Sequence, residues 1–159
     1  MQGKPNSIRA GVALAAVIDN ASKGGNTILN VGPTGRGTFD ARAKTRLAEI
    51  GRWMKFNGRA IYGCGPAPDG IKAPEGTLLT YNRERNRLYV HLIDYPIASL
   101  PIGFSERVKY AQFLHDASEI KVKVPLSVSG TPRKDVDPSL ILPVIKPDVE
   151  IPVVEMFLK

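Results

Sequence analysis

The residues that could do chemistry in this chain are few and scattered. Gly32, Gly35 and Gly37 sit together between an apolar run and an amphipathic one. A glycine-rich loop ahead of a helix can cradle a phosphate on backbone N–H groups. The spacing Gly32-x4-Gly37-Thr38 imitates part of a P-loop, but no lysine stands between Gly37 and Thr38 to reach the terminal phosphates. Nor do glycines at 32, 35 and 37 make G-x-G-x-x-G. The loop reads as a turn. His91 and His115 stand alone, with no second His, Cys or acidic cluster at metal-ligand spacing. Cys64 is the single cysteine; it lacks a neighbouring base and reads as an inert thiol. It excludes an internal disulfide framework and leaves the compartment open. These patterns imply no metal and no cofactor.

Charge is unevenly spread. The chain of 159 residues carries a net charge of +7. Residues 1–60 hold ten Lys/Arg against three Asp/Glu, and the remainder holds twelve of each. A basic third could face nucleic acid or another anionic partner. Arg42, Lys44, Arg46, Arg52 and Lys55 alternate with apolar helical positions, however, as the solvated face of a helix does. The expectation is therefore no nucleic-acid partner.

The elements that would position these residues begin with an apolar run, Ala10 to Ile18, preceded by Lys4 and Arg9. It is too short to span a bilayer, which needs about 20 residues. Asp19-Asn20-Ala21-Ser22 is also a poor leader-cleavage site. No membrane partner is expected. The run reads as a structural helix over 8–23, buried on nearly all sides, capped by Ser7 and stopped by a left-handed Gly24. Asn26 to Val31 is short and nearly continuously apolar, which predicts a strand covered on both faces. Asp40 caps the next helix. Ala43, Leu47, Ile50 and Met54 give that helix one apolar face, and Asn57-Gly58 ends it. Helix, strand, loop and helix make a piece of an α/β array.

After Tyr62 the texture changes. Residues 63–76 are rich in Gly and Pro and read as a linker. Thr77–Tyr81 and Arg87–Ile93 flank a polar turn and predict a hairpin. Glu119–Val124 alternates, with Ile120, Val122 and Val124 on one face; Ser139–Ile145 and Val153–Leu158 are further β-rich runs. Prolines at 96, 101, 125, 132, 138, 143, 147 and 152 forbid long helices. The whole suggests an antiparallel β-sandwich of about seven or eight strands.

Three motifs carry a family resemblance: KGGNxxLNVGPT over 23–34, RLxxIGxW over 46–53 and NGxAIYG over 57–63. Together they closely resemble the end of the catalytic domain of α-L-fucosidases, glycoside hydrolase family 29. The one departure is Thr34-Gly35-Arg36-Gly37, where Pro-Asp-Gly or similar often follows the GPT. The resemblance implies an α+β chain: a terminal strand–helix piece of a (β/α) barrel over 1–62, a linker over 63–76 and a C-terminal β-sandwich over 77–159.

The family is similar in mechanism to other retaining glycosidases, which use two carboxyl groups about 5–5.5 Å apart. Both belong to segments preceding the KGGN motif, so the resemblance carries no catalytic residue onto this chain. Asp19 belongs to a helix, Asp40 to a cap, and Asp69 and Glu75 to the linker. Asn30, Gly32, Pro33 and Thr34 are the candidates for the substrate rim, because barrel sites form at the C-terminal ends of strands. For Asn30 the structural alternative, that it satisfies backbone groups near the loop, is the preferred reading.

Three function classes follow. The first is a C-terminal piece of a fucosidase, inactive alone, with the missing barrel segment as its partner and fucosylated glycans met only through the complete enzyme. The second is a noncatalytic sandwich binding glycans through Tyr81, Tyr89, Tyr95 and Tyr110. The nucleotide or nucleic-acid reading is third. Under the first, residues 1–60 could not cover their own apolar faces, such as Val12, Leu14, Val17 and Ile18, and would stay mobile, aggregate or dock.

Overall fold

A computed structural model describes residues 9–133 and 135–159. Its helices are α1 (Ala10–Ser22) and α2 (Ala41–Asn57). Its strands are β1 (Thr77–Asn82), β2 (Arg87–Leu92), β3 (Ser99–Pro101), β4 (Val108–Phe113), β5 (Lys121–Lys123), β6 (Ser139–Ile141) and β7 (Val153–Leu158). Antiparallel pairing builds a larger sheet in the order β1-β2-β7-β4 and a smaller one in the order β3-β6-β5. The last strand of the chain thus lies inside the larger sheet. Among the described residues no helix is long and apolar enough to cross a membrane.

Side chains alternate across a strand, and here both faces of the larger sheet are apolar. Leu88, Val90 and Leu92 of β2 and Val154, Met156 and Leu158 of β7 share a core with Leu100 and Leu140 of the smaller sheet. Tyr89 and Val153, on the opposite face, share a second core with Leu14 and Ile18 of α1 and Trp53 of α2. The architecture is therefore three layers: helices, four strands, three strands. Burying Leu14 and Ile18 contributes about 1.5–3 kcal/mol each.

Local chemistry explains the helix limits. Gly24 takes φ +75° after α1, a conformation only glycine adopts without strain. The proposed Ser7 cap lies outside the described residues; Arg9 occupies the N-cap position and makes no side-chain cap. Asp40 accepts the Ala43 N–H at 2.7 Å and starts α2. Gly58 departs from its expected role. Its φ is −58°, so it does not stop the helix by turning left-handed. A Cβ there would stand 2.9 Å from the Tyr62 ring, so the glycine permits close packing instead.

Three expectations are corrected. Asn26–Val31 is not a strand: residues 25–34 are irregular, and Ile28 is 87% exposed. A strand exists only where a neighbour accepts its ladder hydrogen bonds, and none of the described strands lies beside it. Second, α1 is not buried on nearly all sides. Ala10, Leu14, Ile18 and Ala21 are buried, while Val12 is exposed. Third, the deepest residues of α2 are Trp53 and Asn57, with Leu47, Ile50 and Met54 only half-buried. The apolar stripe is rotated toward the sheet's polar row.

That row ties the helical layer to the sheet. The Trp53 indole N–H donates to the Ile151 carbonyl at 2.8 Å. Arg59, just beyond α2, pairs with the buried Glu155 carboxylate at 3.1 Å. Gln112 donates to the same carboxylate at 2.8 Å, and Tyr89 at 3.3 Å. Burial, with the Glu155 charge beside it, pushes the Tyr89 hydroxyl up to about 12. Beside this set the Thr80 hydroxyl donates to the Ala60 carbonyl at 2.6 Å. Thr80 must then accept from His91 Nε2, 2.9 Å away. That assignment fixes the neutral tautomer.

Replacing Trp53 by Phe keeps an aromatic ring but leaves the Ile151 carbonyl without its donor. Urea unfolding should show a loss of about 1–3 kcal/mol; an unchanged midpoint would remove this bond from the joint.

A second test follows from His91. Burial pushes its pKa down from the ordinary 6.5 to about 3. The unfolded chain therefore takes up this proton at higher pH than the folded one does. The stability His91 contributes is complete above pH 6.5 and is lost as pH falls toward 3, with a slope of up to about 1.4 kcal/mol per pH unit. Unfolding measured at pH 7, 6 and 5 should show that slope in the wild type and its loss in His91→Gln. Equal slopes would contradict it.

Candidate functional site

The segment joining α1 to α2 carries the substrate-rim candidates, and the structure places them in a single exposed loop. Asn30, Gly32, Pro33 and Thr34 are all exposed. Among the described residues no backbone N–H from Asn26 to Gly32 donates to another backbone group. Asn20 Nδ2 reaches the Thr27 hydroxyl at 3.0 Å, which pins the loop's start to α1. At its far end Thr34 and Thr38 close a tight turn. Thr34 N–H donates to the Thr38 carbonyl at 2.7 Å, and Gly37 N–H returns to Thr34 at 2.8 Å. Gly37, at φ +75°, makes that turn possible. The turn uses its own amides internally, which argues against a phosphate cradle. Asn30 makes no side-chain hydrogen bond with a described residue, so the structural role open to it in the sequence is not filled here.

The apolar run expected in a covered strand is largely open to solvent, and an aromatic residue farther along the loop is open too. Ile28 is 87% exposed, Leu29 46% and Phe39 44%. Phe39 drew no attention in the sequence. Its setting, an aromatic residue directly before a helix cap and after three glycines, was the available signal.

Two of the carboxylates weighed in the sequence are committed to helix structure. Asp19 pairs with Lys23 at 2.7 Å within α1. Asp40 caps α2. Asp69 lends only its backbone carbonyl to Arg107, at 3.0 Å, and Glu75 is exposed on the way to β1. Proton-transfer chemistry needs a group poised near the working pH, and burial pushes Cys64, Tyr89 and His91 away from it. Burial raises the Cys64 thiol to about 11, which keeps it protonated, and His91 stays neutral in the core. Among the described residues no three His, Cys, Asp or Glu side chains gather to hold a metal.

The tyrosines do not form a sugar-stacking platform. Tyr89 is fully buried. The Tyr81 hydroxyl donates to Asn86 Oδ1 at 2.9 Å, and the Tyr95 hydroxyl to the Pro143 carbonyl at 2.8 Å. Tyr110 is 37% exposed, packed edge-on against Phe157.

Comparison with known proteins picks out the same loop and its flanking helices. The α-L-fucosidase family model matches residues 7–59. The chain is 44% identical to the plasma α-L-fucosidase of Homo sapiens over 46 residues, covering 29% of this chain and 10% of that protein. It is 28% identical to the α-L-fucosidase of Dictyostelium discoideum over 118 residues, covering 69% of this chain and 25% of the relative. Among solved structures it is similar to α-L-fucosidase isoenzyme 1 from Paenibacillus thiaminolyticus. There the TM-score is 0.84 at 30% identity, over 99% of this chain and 36% of that one. The chain thus spans a quarter or less of these curated relatives and about a third of the solved structure. Over residues 7–59 in sequence, and over almost its whole length in fold, the chain is similar to part of the α-L-fucosidases, one solved example of which is of glycoside hydrolase family 29.

Proposed function

We propose that this chain is the C-terminal, supporting part of an α-L-fucosidase-like retaining glycosidase and does not hydrolyse fucosides alone. Its partner is the remainder of the catalytic barrel, which supplies the nucleophile and the acid/base carboxyl group. The observation that carries the reading is the uncovered loop within the family-matched stretch 7–59. Asn26–Val31 has the composition of a buried strand, yet Ile28 and Leu29 face solvent. Neighbouring strands on each side would give this segment its missing ladder partners and cover its side chains. Asn30, Gly32, Pro33 and Thr34 would then lie at the strand's C-terminal end, where barrel sites form. A glycan-binding sandwich acting through its tyrosines has less support, because three of the four are buried or hydrogen-bonded.

The test has two arms. The purified chain should release no nitrophenol from 4-nitrophenyl α-L-fucopyranoside above the buffer rate; turnover would contradict the proposal. Co-expressed with the rest of a family barrel, it should restore hydrolysis, and Ile28→Asp should lower that recovery at least about tenfold. The cost expected is about 1.5–3 kcal/mol for placing a charge where an apolar side chain should be buried. Equal recovery with Ile28→Asp would place the docking surface elsewhere.

A further inference from the structure

The loop that carries the rim candidates is tied to α1 through one residue of that helix's last turn, Asn20. Its backbone carbonyl accepts the Gly25 N–H at 2.8 Å, and its Nδ2 donates to the Thr27 hydroxyl at 3.0 Å. The same carbonyl also takes the Lys23 N–H at 3.1 Å, which closes the end of the helix beneath the loop. Backbone and side chain of a single residue therefore hold positions 25 and 27.

The contact with Thr27 decides a face. In a strand successive side chains point to opposite sides. With Thr27 turned toward α1, Leu29 and Val31 share its side, while Asn26, Ile28 and Asn30 take the other. Exposure along the apolar run already follows this alternation. Leu29 is 46% exposed and Val31 half-buried, whereas Ile28 is 87% exposed and Asn30 is open to solvent.

We infer that Asn20 is a positioning residue for the rim: it sets which side of Asn26–Val31 faces α1, and so turns Ile28 and Asn30 into the interior of the completed barrel. The inference rests on the reading of this segment as a barrel strand whose neighbours belong to the missing part. A strand between a helical layer and a packed barrel interior has no intermediate facing. Slipping by one residue exchanges the two sets of side chains. Here a slip would carry Leu29 and Val31 inward and press Asn30 against α1. Asn20 prevents it from outside the strand, by holding the second residue of the run to the helix.

The full chain is co-expressed with the remainder of a family barrel, and hydrolysis of 4-nitrophenyl α-L-fucopyranoside is measured per assembled enzyme, quantified by gel filtration. Asn20→Ala and Thr27→Val should each lower kcat/KM at least about fivefold, since a shift on the order of 1 Å in a positioned group costs up to about 100-fold. Thr27→Ser keeps the hydroxyl and should stay within about twofold of wild type, as neutral surface changes do. Asn20→Ala should cost nothing further in an Asn30→Ala background, because the two act through one contact path. Full activity in Asn20→Ala, equal losses in Thr27→Ser and Thr27→Val, or additive losses with Asn30→Ala would overturn the assignment. So would a loss that merely tracks the amount of assembled enzyme. A wild-type chain that restores no hydrolysis would overturn the assignment together with the reading beneath it, so the wild-type arm tells the two failures apart.

Discussion

The larger sheet cannot leave either face in water. β2 and β7 are buried along almost their whole length, with aliphatic side chains toward the smaller sheet and Tyr89, His91, Val153 and Glu155 toward the helices. Covering one face needs the three strands β3, β6 and β5; covering the other needs α1 and α2. This makes the helices a layer of the same body. It also explains why the polar groups beneath them are so closely paired. Glu155 sits where an unsatisfied group would be costly, and Arg59, Gln112 and Tyr89 meet it, while Thr80 meets His91 at Nε2 alone.

The chemistry of the chain follows from that packing. Burial holds Cys64 and Tyr89 protonated and His91 neutral, and the polar side chains beneath the helices work as fixed donors and acceptors. What remains open is the loop between the helices, whose apolar residues have no counterpart among the described elements. An irregular segment with Ile28 and Leu29 exposed is the opposite of what its composition favours. That conflict between local sequence and surroundings is of the kind expected where a second surface completes a structure.

Much of the β region was legible in the sequence. The hairpin Thr77–Leu92 and the strand Val153–Leu158 are long, alternating and bounded by turn residues, and they form as read. β4 was missed because Val108–Phe113 mixes Lys109, Tyr110 and Gln112 into its pattern, and its register shifts between Val108 and Tyr110. β3 is three residues ending in a proline, too short for any period. The strand expected at Asn26–Val31 failed for another reason: its apolar run is real, but strand formation depends on partners that sequence pattern does not supply. The rotation of α2 was hidden because Asn57 reads as a helix stop. Its burial comes from the Trp53 carbonyl one turn earlier, which takes up its amide. The polar row beneath the helices was invisible because it joins residues almost a hundred positions apart, as in the 96-residue separation of Arg59 and Glu155.

Amide hydrogen exchange on the chain alone tests the central claim most directly, because it reads coverage residue by residue. If the helices are one layer of the same body, the amides of α2 and of the inner turns of α1 exchange as slowly as those of β2 and β7. The amides from Asn26 to Gly32 should exchange at the rate of an open chain. Helices that exchange freely while the sheets stay protected would contradict the account, as would strong protection of Asn26–Gly32.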